Sequence, residues 1–382
     1  MFMEAVLADL MEAIAIATPQ PPGDVSAMAE WVAGKVRAAG GDVEFQPVNP
    51  VAANVVGILE FGPGPVLAFN SHMDVNAPFD QEWSFDPFSP FLKDGCVWGR
   101  GACDAKGSLV AMLHALQALA TTPGGLRGRL ILTAVMGEEA GGIGSKHLVE
   151  QGFSAGAAIV GEPTDLEVRC AHKGTLMRRL TFHGRAAHSG RPGLGRNAIS
   201  HAARFVLEYD RLCSRLVAQP HPLVGAPSAA VTVCSGGARP NTIPERVQLV
   251  IDRRLVPGET HGKAFGELSD ILERLRAEIP DLRVDEPEVL TATVPSETPV
   301  DDPFVQMALW ARDQVLGGPS RPGGFSAGCD MSKLRSVGIP TVILGPGSLC
   351  QAHAADEYVR ADEVIQAVSI YRQLAARFLG GH

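Results

Sequence analysis

Three apolar runs that end on acids or histidines limit the fold of this chain more than any other feature. PVLAFNSHMDV (65–75) closes on His72 and Asp74, RLILTAVM (129–136) runs into Glu138 and Glu139, and AAIVGEP (157–163) ends on Glu162. Continuous apolar runs of this length read as strands buried on both faces. Between the first and second lies SLVAMLHALQALA (108–120), preceded by Gly107 and helical in its periodicity. Buried strands alternating with helices predict an α/β domain with a mainly parallel central sheet, where sites gather at the carboxyl ends of the strands.

The middle of the chain has another rhythm. GTLMRRLTFHGR (174–185) reads as a strand, RNAISHAARFVLEYDRL (196–212) as a helix, and AAVTVCSGG (229–237) and ERVQLVIDRRLV (245–256) as two strands. KAFGELSDILERLRAEI (263–279) follows as an amphipathic helix and LRVDEPEVL (282–290) as a last strand. The order β-α-β-β-α-β is the ferredoxin-like arrangement. It interrupts the first domain, which resumes with PTVILGPG (340–347) as a buried strand. A chain of 382 residues exceeds one ordinary core, so two domains are expected: 1–175 with 293–382, and an inserted 176–292.

A net charge of −9 disfavours a nucleic-acid partner. The seven cysteines are scattered and form no Cys-x-x-Cys pair, as expected for free thiols in a reducing compartment. The opening MFMEAVLADLMEAIAIA carries Glu4, Asp9 and Glu12 through its apolar residues, so it reads as an amphipathic helix and not a signal peptide. No stretch has the length and apolarity of a membrane span, and the expected location is cytoplasmic. GRGACDAKGS resembles a phosphate-binding loop, but Lys106 precedes Gly107, the wrong order.

His72, Asp104, Glu139, Glu162 and His353 have the chemistry of divalent-metal ligands, each beside small residues that let side chains crowd round an ion. Two imidazoles and three carboxylates suit zinc, cobalt or manganese. With Asp104 bridging, His72 and Glu162 complete one site, and Glu139 and His353 the other. That is a two-metal hydrolase layout. Along an extended chain end Glu138 and Glu139 would point opposite ways, leaving Glu138 to face the attacking water as general base. Asp74 lies on the strand face of His72, placed to orient its imidazole. Singly, each residue has an ordinary reading as a solvated loop, a helix N-terminal acid or a packed histidine. Together at successive strand ends they point to one centre. His114, His147, His201, His221, His261 and His382 are read as packing or surface residues.

The motifs SHMDV, WSFDPFSP, GRGACDAKG, GEE, GEPTDLEV…HKG, GRAAHSGRPGLGRNAI, ARPNTIPE, DRRLVPGE and ILGPGSLCQAHAADEYV occur in that order over almost the whole chain. In this the chain resembles the dinuclear zinc amidohydrolase/peptidase family of acetylornithine deacetylase, succinyl-diaminopimelate desuccinylase, aminoacylase and the glutamate carboxypeptidases. The GEPT…HKG and LGPGS…AH…DEY stretches lean toward acetylornithine deacetylase. The resemblance implies the same five ligands, two divalent ions (zinc, with cobalt or manganese as alternatives), Glu138 as base and Asp74 as orienting aspartate. It also implies a homodimer formed through the inserted domain, with His188 acting as oxyanion donor in the partner's site. Asn241 is implied as a substrate or oxyanion contact and Arg254 as a substrate-carboxylate clamp, with a salt bridge from Arg254 to Asp252 or Glu245 as the equal alternative. A cis peptide is implied at Asp104–Ala105. The stretch FSAGCDMSKL, with Gly328 as a candidate substrate contact beside Cys329 and Asp330, departs from the Gly-Thr-Asp-like family pattern where substrate choice is made. The expected activity is hydrolysis of an N-acyl amino acid, N-acetylornithine first, as in arginine biosynthesis. A dipeptidase, a carboxypeptidase or a succinyl-diaminopimelate desuccinylase on the same scaffold is the alternative, and an inactive metal-binding dimer the remote one.

Overall fold

The computed structural model describes residues 2–122 and 124–380, so His382 lies outside the described residues. The chain divides into two compact units. The first holds the described residues up to Ala171, Glu297–Phe325 and those from Cys329 onward; the second holds His172–Ser296 and Ser326–Gly328.

Across the sheet of the first unit run Asp42–Asn49, Ala52–Glu60, Arg129–Val135, Val66–His72, Ala157–Val160, Thr341–Ile343 and Arg169–His172. The middle four of these strands are mutually parallel, and the flanking pairs are antiparallel. Parallel neighbours need a crossover. The helix Lys106–Ala120 makes one between Val66–His72 and Arg129–Val135, and Ile143–Glu150 makes the next. The three apolar runs are these central strands, almost entirely buried. The hairpin Asp42–Asn49 and Ala52–Glu60 is a feature the sequence reading lacks. Its outer strand is half-exposed and includes Pro47, so its apolar signal is weak.

The helix Lys106–Ala120 is buried on every side as far as Leu116, as an apolar helix in the interior of a domain should be. It begins two residues before the expected start. Gly107 fits there because a Cβ would lie 2.5 Å from the Ala102 carbonyl oxygen. Lys106 is itself buried, and its Nζ donates to the Ala13 and Ile16 carbonyls at the end of the helix Phe2–Ala15. A cation suits that pole of a helix.

In the second unit the order is Ser228–Gly236, Arg246–Leu255, Gly174–His183 and Arg283–Val284, with Glu288–Thr293 also on Gly174–His183. Every one of these pairs is antiparallel. Arg246–Leu255 buries every second residue, so Val247, Leu249, Ile251, Arg253 and Leu255 share the covered face. Phe205, Tyr209 and Leu212 from the helix Ala198–Leu216, and Leu268, Ile271 and Leu275 from His261–Glu278, pack on that face. Asn197 caps the first helix by accepting from the Ile199 and Ser200 N–H groups. The expected last strand, 282–290, is two pieces, because Asp285–Glu286–Pro287 interrupts it and Pro287 has no N–H for the ladder. Among the described residues no helix is long and apolar enough to cross a membrane.

Candidate metal centre

Three adjacent parallel strands deliver the acids and the histidine. His72 is the last residue of the central strand, Glu162 lies two residues beyond the neighbour on one side, and Glu138 and Glu139 lie just beyond the neighbour on the other. Asp104 comes from the turn before the Lys106–Ala120 helix. His353 comes from the loop after Thr341–Ile343, with a left-handed φ of +62°.

The two oxygens of Asp104 face different imidazoles. His72 Nε2 is 3.1 Å from Oδ1, and His353 Nε2 is 3.5 Å from Oδ2. Glu162 Oε1 is 4.0 Å from His72 Nε2, and Glu139 Oε2 is 3.0 Å from His353 Nε2. Two groups that could hold a metal ion result: His72, Asp104 and Glu162, and Asp104, Glu139 and His353. The donor set fits hard or borderline divalent ions. Four carboxylates, those of Asp104, Glu138, Glu139 and Glu162, crowd round two imidazoles, and positive charge is what such a cluster lacks.

The electrostatics agree with that deficit. Burial raises the Glu162 carboxyl well above the ordinary range, and the charge of Asp104 adds to it. Glu138 is likewise pushed well up by burial, with His72 opposing and Asp330 and Glu139 reinforcing the shift. Burial disfavours charge on His72, yet Asp104 and Glu162 together lift its pKa well above the usual imidazole value. The hydrogen bond to Glu139 raises His353.

Glu138 and Glu139 are not on an extended chain end. They sit in a turn entered through Gly137 at φ +67°, and the Glu138 carbonyl accepts from the Gly141 N–H. The turn separates their side chains. Glu139 accepts from the Asn76 N–H and meets His353, while the Glu138 carboxylate takes no hydrogen bond among the described residues. Asp74 also differs from expectation. His72 Nδ1 lies 2.9 Å from the Asp74 backbone carbonyl and 3.9 Å from its carboxylate. The buried Asp74 carboxylate instead accepts the Glu138 and Glu139 N–H groups, each at 3.2 Å, and so holds the turn. Burial raises its pKa. The Asp104–Ala105 peptide is cis.

The remaining candidates lie in the second unit. His188 and Asn241 are exposed neighbours on a small ribbon in which His188 pairs with Thr242, and Ser189 N donates to Asn241 O. Arg254 pairs with Asp252 at 3.0 Å, and its Nη1 donates to Thr175 Oγ1 at 2.8 Å. Gly328 lies near Thr293, 3.3 Å from a Cβ built on it. The sequence reading assigns no part to Glu357, Arg100 or Gln81, which support the Asp104 turn and the His353 loop. Only the acid in the AHAADE stretch hinted at one of them.

Comparison with known proteins identifies the family and the fold. Residues 68–377 match the family model described as Peptidase family M20/M25/M40. A probable succinyl-diaminopimelate desuccinylase of Staphylococcus epidermidis is 29% identical over 88% of this chain and 89% of its own. An acetylornithine deacetylase of Myxococcus xanthus is 29% identical over 99% of both chains. The crystal structure of a tripeptidase from Staphylococcus aureus superposes with a TM-score of 0.83 at 23% identity, over 98% of this chain and 99% of that one.

Proposed function

The chain belongs to Peptidase family M20/M25/M40, and on that premise we propose that it is a metal-dependent amidohydrolase that deacylates an N-acyl amino acid, N-acetylornithine first. The observation that carries this reading is Asp104, whose two oxygens each face a different imidazole-carboxylate set. His72, Asp104 and Glu162 would hold one divalent ion, and Asp104, Glu139 and His353 a second; zinc is preferred, cobalt or manganese the alternatives. Bound there, such ions polarise an amide carbonyl and make water acidic near neutral pH.

The chain's own residues do the rest. Glu138 takes the proton of the attacking water and returns it to the departing nitrogen, its carboxylate being tied up by no hydrogen bond among the described residues. Asp74 keeps Glu138 and Glu139 in register by holding their N–H groups. We assign His188 as the donor that steadies the oxyanion at the partner subunit's centre in a homodimer formed through the second unit. Asn241, Arg254 and Gly328 are assigned to substrate contact. For Arg254 the role requires the guanidinium to divide its donors between a substrate carboxylate and its partners Asp252 and Thr175. A cytoplasmic location completes the reading.

The likeness to a desuccinylase over most of the chain keeps a second substrate class in view. A hydrolysis panel decides between them. The metal-loaded protein is given N-acetyl, N-succinyl and N-formyl amino acids and a set of dipeptides, with and without chelator. Chelator-sensitive release of ornithine from N-acetylornithine is expected. Release from N-succinyl substrates or dipeptides alone would move the substrate and keep the chemistry. No release from any of them would refute the proposal.

A further inference from the structure

The chemistry assigned above makes no use of a hydrogen-bonded network beside the centre, buried at Arg100 and Glu357 and exposed at Gln81. Glu357 is fully buried, and its carboxylate accepts from Arg100 Nη1 at 2.8 Å and from the N–H groups of Gly101, Cys103 and Asp104 at 3.1, 2.8 and 3.0 Å. A carboxylate that takes three backbone donors from one turn fixes the path of that turn, because leaving any donor unpaired in the interior is costly. Gly101 helps, at φ +86° with Val75 Cγ1 only 2.6 Å from a built Cβ. Arg100 is buried too, lies 4.9 Å over the Trp83 ring, and donates through Nη2 to Gln81 Oε1 at 2.5 Å. Gln81 Nε2 then donates to the His353 carbonyl at 2.5 Å.

One continuous path therefore runs from the Asp104 amide to the His353 carbonyl. His353 needs such a restraint: it sits on a loop, half-exposed, in a left-handed conformation that a non-glycine residue holds only when its surroundings enforce it. We infer that Gln81, Arg100 and Glu357 are positioning residues that set the separation of Asp104 and His353, and so govern how firmly the ion between Asp104, Glu139 and His353 is held. The inference rests on the metal-centre reading above. None of the three touches the reacting atoms.

The test is a cobalt titration of metal-free protein, read by visible absorption, with thermal unfolding of the same metal-free samples. The variants are Gln81→Ala, Arg100→Lys and Glu357→Gln. Gln81 is exposed, so Gln81→Ala should leave the metal-free Tm unchanged. It should weaken one of two cobalt equivalents by about tenfold, the size of effect typical for outer partners of metal ligands, and alter the absorption band of that equivalent only. Arg100→Lys keeps the charge but loses the fork, and should weaken the same equivalent, with a lower metal-free Tm because Arg100 is buried. Glu357→Gln should weaken both equivalents, because Asp104 serves both. Wild-type protein that takes two equivalents while Gln81→Ala and Arg100→Lys bind and absorb identically to it overturns this inference alone. So does a loss of affinity in Gln81→Ala that merely follows a lowered Tm. Wild-type protein that binds no cobalt overturns this inference and the metal reading together.

Discussion

At the scale of the residue, the proposed mechanism divides the work between Asp104 and Glu138: one would gather the two ligand sets, the other would move the proton. Glu138→Ala should keep the metal stoichiometry of the wild type and lower kcat by about 10²- to 10⁴-fold. Metal analysis and steady-state kinetics on the same sample check both halves, and undiminished turnover would remove Glu138 from the role. His72, Glu139 and Glu162 were legible in the sequence because each is a polar residue at or just beyond the end of an otherwise apolar strand, where it has nothing to gain from burial alone. Asp74 was legible as a strand-end acid, but its task was not. Side-chain parity gives the face and not the reach, and the carboxylate bends to the Glu138 and Glu139 amides instead of the His72 ring. Gln81 and Glu357 left still less trace. The bonds that tie them to His353 and Asp104 span 272 and 253 residues, and no local pattern encodes that distance.

At the scale of the element, alternation in Arg246–Leu255 sorts two adjacent arginines to opposite fates. Arg253 falls on the covered face and pairs there with Glu259 at 2.7 Å and Glu267 at 3.0 Å, while Arg254 falls on the other face with Asp252. Burial pushes the Glu259 carboxyl up, but the hydrogen bond and charge of Arg253 outweigh it and hold the pKa below the ordinary value of 4.5. The unfolded chain therefore binds this proton at higher pH than the folded one. The stabilisation is complete above about pH 4.5 and is lost as pH falls through the lower, folded value. Glu259→Gln should cost about 1.5–3 kcal/mol at pH 7, and its deficit against the wild type should shrink on acidification. Urea unfolding across that pH range measures it; a deficit independent of pH would contradict the assignment. Asn197→Ala, which removes the cap of the Ala198–Leu216 helix, should cost about 1 kcal/mol by the same measurement. The long helices and the central strands were readable from period alone. The Asp42–Asn49 strand was not, because its alternation is confined to half-buried Val43 and Phe45 and is interrupted at Pro47. Nor was the break at Pro287, which ladder hydrogen bonding and not hydropathy determines.

At the scale of the whole molecule, the proposed assignment of His188 to a partner subunit predicts complementation. His188→Ala should lose most activity and keep the wild-type Tm and oligomeric state. Mixed with Glu138→Ala, it should recover part of the activity, since some mixed assemblies then hold one centre with both Glu138 and an intact His188. No recovery from a mixture shown to exchange subunits would place His188 in its own subunit's chemistry or outside it. The two-unit organisation was visible as a change of rhythm, from buried apolar runs to amphipathic helices and alternating strands. The substrate was not, because FSAGCDMSKL departs from the family pattern in a stretch that the resemblance links to substrate choice. The central claim is that five side chains from distant parts of the chain hold two ions that amide hydrolysis requires. Its most direct test is to strip the protein with chelator, add cobalt back stepwise, and follow bound metal and N-acetylornithine hydrolysis together. Activity that is absent without metal and rises to its plateau at two bound equivalents is the predicted result. Hydrolysis that persists in the stripped protein, or a chain that binds no cobalt, would contradict it.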